Sequence, residues 1–114
     1  LKNNETARCT DDQRFSAICI EDLERALDLA IQKDLNGVYN ISSKEVFVRY
    51  TLANTLKSKL KITSGKIIPC SIRDFDFECP NAVDTSINPD KFIKATGFSF
   101  TSMDSCLRKL ESIV

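Results

Sequence analysis

Between Glu21 and Lys33 the apolar residues Leu23, Ala26, Leu27, Ala30 and Ile31 recur at helical spacing, predicting a helix with one buried face. Glu21, Asp22 and Glu24 put negative charge in its first turn, where the helix dipole favours it. Asn36-Gly37 stops it, because glycine adopts the left-handed conformation of a C-cap without strain. A second stripe, Val48, Leu52, Leu56 and Leu60 with Ala53, predicts a helix over 43–60, with Ser42 and Glu45 as its capping box. Shorter apolar runs predict strands at Phe15–Ile20, Val38–Ile41 and Lys66–Cys70. Pro69 places the last of these at a sheet edge. Asn88-Pro89 opens a short helix that Gly97 closes. Thr101 with Asp104 opens a final helix whose apolar face is Met103, Cys106, Leu107, Leu110 and Ile113.

The polar segments complete the outline. Residues 1–11 read as a linker or the end of a missing preceding element. Residues 71–86 form a long irregular connection, of a kind that is uncommon unless it binds something or covers a site. The predicted order is β-α-β-α-β-α-α, an α/β arrangement. Three short strands make a thin sheet, which suits a portion of a larger α/β protein. A chain that starts at Leu1 fits an excised domain, a remnant or a processed product.

Composition narrows the function classes. Sixteen basic residues balance sixteen acidic ones, so no basic excess exists to displace counterions from nucleic acid or to hold a membrane surface. No apolar run approaches the roughly 18 residues that span a bilayer. Five cysteines at long spacings, with no histidine, argue against a zinc site. They read as reduced thiols in a cytoplasmic protein. Without histidine, Ser-His-Asp and Cys-His nucleophile pairs are excluded. Gly37, Gly65 and Gly97 lie too far apart for a phosphate-cradling loop. Asp74, Asp76 and Glu78 alternate with Phe75, Phe77 and Cys79, as on a solvated strand edge. Asp11-Asp12 reads as a turn rather than a metal site.

Asp12-Gln13-Arg14-Phe15-Ser16-Ala17 resembles the Asp-Gln-x-Gly-x-Pro-Thr segment of dTDP-4-dehydrorhamnose reductases, members of the extended short-chain dehydrogenase family. Asp22-Leu23 falls near the start of the following helix, as it does there. Gly37-Val38-Tyr39-Asn40-Ile41-Ser42, then Glu45, Arg49-Tyr50 and Ala53, are similar to later family segments. Val83-Asp84-Thr85-Ser86-Ile87 with Lys91-Phe92 and Gly97 resembles the family's ending. Among the departures, Asn81-Ala82 stand where Arg-Pro is common.

The resemblance implies that 12–114 form a C-terminal sugar-nucleotide-binding domain. A Rossmann portion outside this chain would bind NAD(P)H, carry the catalytic residues and partner this domain over a nucleotide-linked sugar. The family's Tyr-x-x-x-Lys pair is absent, since Ser43 follows Tyr39 and Asn54 follows Tyr50 at that spacing. The chain is therefore expected to hold no cofactor and to be inert alone. Gln13 and Arg14 are expected to face the sugar or its phosphate. Asn81, Asp84 and Ser86 are expected to hold the nucleotide end. A homodimer is one assembly open to it. Two other readings stand beside this one: a non-catalytic regulatory or binding subunit of the same fold, and a nucleotide-sugar epimerase or dehydratase lobe.

Overall fold

A computed structural model describes residues 3–113. Strand β1 (Thr6–Thr10) is followed by β2 (Arg14–Ser16), helix α1 (Ile20–Gln32), β3 (Val46–Val48) and α2 (Arg49–Lys59). Then come β4 (Lys66–Cys70), a single 3-10 turn at Ile72–Asp74, α3 (Asp90–Thr96) and α4 (Met103–Ile113). β1 and β4 pair in parallel from Thr6↔Lys66 to Thr10↔Cys70, and α2 packs on both. β2 and β3 form a separate antiparallel pair, with Phe15 opposite Phe47. Among the described residues no helix is long and apolar enough to cross a membrane.

The mixed α/β character holds, but the element order differs from the predicted one. The segment read as a linker contains β1. Only Ala7 and Cys9 give β1 an apolar pattern, and its ladder comes from a partner 60 positions away. The run Phe15–Ile20 is strand only through Ser16, and Ile20 already begins α1. Val38–Ile41 forms no strand. Val38 is 81% exposed, and its carbonyl accepts from the Lys91 ammonium at 2.8 Å. The helix predicted from residue 43 starts at Arg49. Val46-Phe47-Val48, β-branched around an aromatic, stay extended and pair with β2 instead. Glu45 caps a different helix: its carboxylate accepts from the Met103 N–H at the start of α4, at 2.7 Å.

Small side chains and one aromatic cluster fill the core. Ala26, Phe92 and Leu107 are buried, as are Cys70 and Ile72 at the end of the parallel pair. Phe92 meets Phe98, Phe100 and Tyr39 at centroid distances of 5.9, 6.2 and 6.5 Å. Gly97 ends α3 at φ 70°, where a side chain would be strained. Cys19 and Cys106 are joined in a disulfide with Cα atoms 6.3 Å apart, which corrects the expectation that all five thiols are reduced. Cys9, Cys70 and Cys79 are free.

The molecule is a flat body of 49 × 37 × 18 Å. Its radius of gyration is 16.7 Å. A compact domain of this length would measure about 13 Å. The predicted apolar face of α1 is buried only in part. Asp22 and Ala26 turn inward, while Ile20 and Ile31 are 76% and 78% exposed and Leu27 is 50% exposed.

Candidate functional site

A cleft of about 640 Å³ opens beside the carboxyl ends of β1 and β4, the position where α/β sheets commonly take ligands. Asp12 braces the two turns beside it. Its carboxylate accepts from the Ser71 hydroxyl and from the Ile72 N–H at 2.9 Å, while Asp11 N–H donates to the Cys70 carbonyl at 2.9 Å. The turn after β1 is thereby fastened to the turn after β4. The Ser71 hydroxyl, then the Ile72 N–H, hold the Asp12 carboxyl below its ordinary value against a smaller opposing effect of burial. Asp12 thus acts as a structural bracket within the turn.

Two guanidiniums and three rings line the cleft. Arg8, on β1, lies over the Phe75 ring at 5.3 Å and pairs with Asp74 at 3.9 Å. Asp74 also accepts from the Ser71 N–H at 2.9 Å, capping the 3-10 turn that presents Phe75. Phe75 stacks on Phe77 with centroids 5.7 Å apart, and Phe77 is half exposed. Arg49, opening α2, lies over Phe15 at 5.6 Å. Among the described residues no carboxylate pairs with Arg49. Leu52 and Leu56 of α2 make the apolar base.

The residues singled out from the sequence fall into two groups. Gln13 and Asn81 line this cleft. The Gln13 amide oxygen accepts from the Thr10 hydroxyl at 3.3 Å, which orients it. Arg14, Asp84 and Ser86 lie together outside it. Alternation along β2 turns Arg14 away from its neighbours Gln13 and Phe15. Arg14 N–H donates to the Val83 carbonyl at 2.7 Å, and Thr85 N–H donates back to the Arg14 carbonyl at 2.9 Å. Residues 83–85 therefore extend the β2 edge. Asp84 accepts from the Ser86 hydroxyl at 2.6 Å and its N–H at 2.9 Å. These bonds, the hydroxyl's first, hold its carboxyl low, with Arg14 at 3.9 Å adding to them against burial. Ser86 borders a smaller hollow with Lys44 and Asp90, so this trio serves the loop's conformation more directly than the cleft.

Arg8, Arg49, Phe75 and Phe77 are not among the site residues expected from the sequence, although Arg49 stands in a family-like segment. Phe75 and Phe77 carried a signal, an aromatic alternation inside an unusually long loop. Arg8 carried none, because β1 has too little apolar pattern to mark which side faces a site. Gly37, Gly65 and Gly97 stand singly in turns and helix ends, and none opens a helix after a strand. Among the described residues no three His, Cys, Asp or Glu side chains converge as a metal site.

The fold defined by these elements is an α/β lobe with a small parallel sheet, and it matches part of a larger reductase fold. Solved structures that share it include dTDP-4-dehydrorhamnose reductases, the family whose motifs the sequence resembles. The protein from Clostridium acetobutylicum superposes with a TM-score of 0.85 at 16% identity, over 98% of this chain and 40% of its own. The protein from Bacillus anthracis, solved in complex with NADP, gives 0.84 at 18% identity, over 99% of this chain and 40% of its own. The protein from Yersinia enterocolitica gives 0.71 at 21% identity, over 94% and 37%. The chain thus spans about two-fifths of the length of these proteins. No protein-family model matches the sequence, and no curated protein matches it.

Proposed function

We propose that this chain is the substrate-recognising part of an NAD(P)-dependent sugar-nucleotide reductase similar to dTDP-4-dehydrorhamnose reductase. The cleft supports the reading most directly. Its exposed Phe75–Phe77 pair offers a stacking face for a base. Arg8 and Arg49 offer planar donors to a diphosphate, and Gln13 and Asn81 offer hydrogen bonds to sugar hydroxyls. In this reading the hydride comes from NAD(P)H held by a Rossmann portion that completes the protein. This lobe binds and orients the nucleotide-linked sugar and does not turn it over alone. A cytoplasmic location belongs to the same proposal.

Calorimetric titration of dTDP into the chain tests it. Binding is expected to weaken roughly tenfold in Arg8→Ala and in Arg49→Ala, about 1.4 kcal/mol each. Thymidine, which lacks the diphosphate, should bind less tightly and be indifferent to both substitutions. No measurable dTDP binding, or binding untouched by either substitution, would remove the cleft from the proposal.

The exposed side of α1 is the surface proposed to meet the Rossmann portion. Ile20, Leu27 and Ile31 form one outward stripe on a body too flat to cover it. The double substitution Ile20→Gln, Leu27→Gln is expected to leave the melting temperature within a few degrees, because neither side chain is in the core. Light scattering of concentrated samples should fall, as an apolar patch is removed. If the double variant unfolds, the stripe belongs to a private core and needs no partner.

A further inference from the structure

The C-terminal helix is attached at few points, and one of them is covalent. Leu107 is its only buried side chain among the described residues. Its polar ties are Lys109 to Glu21, Asp104 to Lys59 and the Met103 N–H to Glu45, and buried Asp22 holds Thr101 just ahead of it. The disulfide joins Cys106, in its first turn, to Cys19, whose carbonyl opens α1 by accepting from the Leu23 N–H at 3.0 Å. These cysteines stand 87 positions apart, so the bond closes most of the 114-residue chain into a loop. Around it lies an apolar hollow of about 280 Å³ lined by Ile18, Ile20, Met103, Leu110 and Ile113. Cys19 and Cys106 both line this hollow, and both residues are partly exposed.

We propose that Cys19 and Cys106 form a reversible thiol–disulfide clasp that fixes α4 on α1 and, when opened, releases α4 and exposes the apolar side chains that line the hollow between them. The proposal rests on this placement and is independent of the substrate reading. The oxidant is a low-molecular-weight disulfide of the glutathione class. One cysteine thiolate attacks a sulfur of the oxidised glutathione, forming a mixed disulfide and expelling one glutathione thiolate. The second cysteine thiolate attacks the protein sulfur of that mixed disulfide, closing the Cys19–Cys106 bond and expelling the other. The two protein thiols lose two electrons and two protons, and one glutathione disulfide becomes two glutathione thiols. Cys9, Cys70 and Cys79 have no protein disulfide partner, so a mixed disulfide formed on the exposed Cys79 stops at that first step.

The test equilibrates the whole chain in glutathione buffers of graded oxidation, traps thiols by alkylation and maps them by mass spectrometry. Hydrogen exchange is measured in the oxidised and reduced states. Cys19 and Cys106 should lose reactivity together along one curve with no glutathione retained, while any loss at Cys79 should carry one bound glutathione. On reduction, exchange across 103–113 should rise by roughly tenfold or more, with 66–70 little changed. Cys106→Ser should show the fast rate at every buffer ratio. Should that variant fail to fold, the reduced wild-type chain supplies the same comparison. Independent glutathionylation of the two cysteines, or equal exchange of 103–113 in both states, overturns the proposal.

Discussion

Phe92→Ala is expected to destabilise the chain by about 3–5 kcal/mol, enough to remove a large fraction of the stability of a domain this size. Phe92 is the largest apolar side chain with no exposed surface. It stands at the centre of a ring of aromatics, with Tyr39 edge-on and Phe98 and Phe100 tilted against it. Tyr39 comes from one segment and Phe98 and Phe100 from another, so the cavity left by alanine would lie between segments far apart in the chain that cannot collapse independently. The backbone around it adds to the cost. Lys91 ties α3 to the Val38 carbonyl, and Thr96 caps the helix end by donating to the Phe92 carbonyl at 2.7 Å. Phe92→Leu keeps most of the volume and should cost about half as much or less. Urea unfolding followed by near-ultraviolet circular dichroism reads both values. A cost below about 1 kcal/mol for the alanine variant would mean that the cluster is not the core.

What the sequence disclosed follows from where each signal resides. Helices α1, α3 and α4 carry their own periodicity and punctuation, and they appear within a few residues of the expected limits. β4 was legible because Ile67, Ile68 and the Gly65 turn are adjacent in sequence. β1 was not, because a parallel strand owes its ladder to residues far along the chain. The same reason moved Val46–Val48 from helix to strand. Their partner, Arg14–Ser16, outweighs a stripe of leucines that suggests helix from one side only. Val38–Ile41 shows the converse. Apolar composition without a free edge beside it gives an extended segment held by side chains, not a strand. At the site, Gln13 and Asn81 were reachable from motif position, and the structure brings them to one cleft. Arg14, Asp84 and Ser86 sit in equally suggestive motifs, yet their polar groups are engaged with one another. The disulfide was invisible for a similar reason. Cys19 and Cys106 lie at opposite ends of the chain, and only the docking of α4 on α1 brings them together.

Asp22→Ala is expected to cost about 3 kcal/mol at neutral pH, because it strips a buried carboxylate from three donors at once. Asp22 lies in the first turn of α1 and is 1% exposed. It accepts from the Thr101 N–H at 2.5 Å, from the Thr101 hydroxyl at 2.8 Å and from the Arg25 guanidinium. The contact spans 79 positions and fixes the segment leading into α4. Burial pushes the Asp22 carboxyl upward. The Thr101 N–H and hydroxyl and the Arg25 charge together outweigh it, and the carboxyl is held below its ordinary value. The sign follows from that direction. A carboxyl that is more acidic in the folded chain contributes stability that is fully present above its unfolded value of about 4. That contribution is lost as the pH falls through the folded value. The gap in stability between wild type and Asp22→Ala should therefore be widest near neutrality and should shrink below about pH 4. Asp12, Asp84, Asp90 and Asp104 are also held low, but they are common to both proteins and cancel in the difference. Asp22→Asn keeps the shape but turns an NH2 group toward donors, so it should recover little of the loss. Paired urea melts at pH 7 and pH 3 decide the matter. A gap that stays constant with pH would show that the carboxylate's charge is not what holds Thr101 in place.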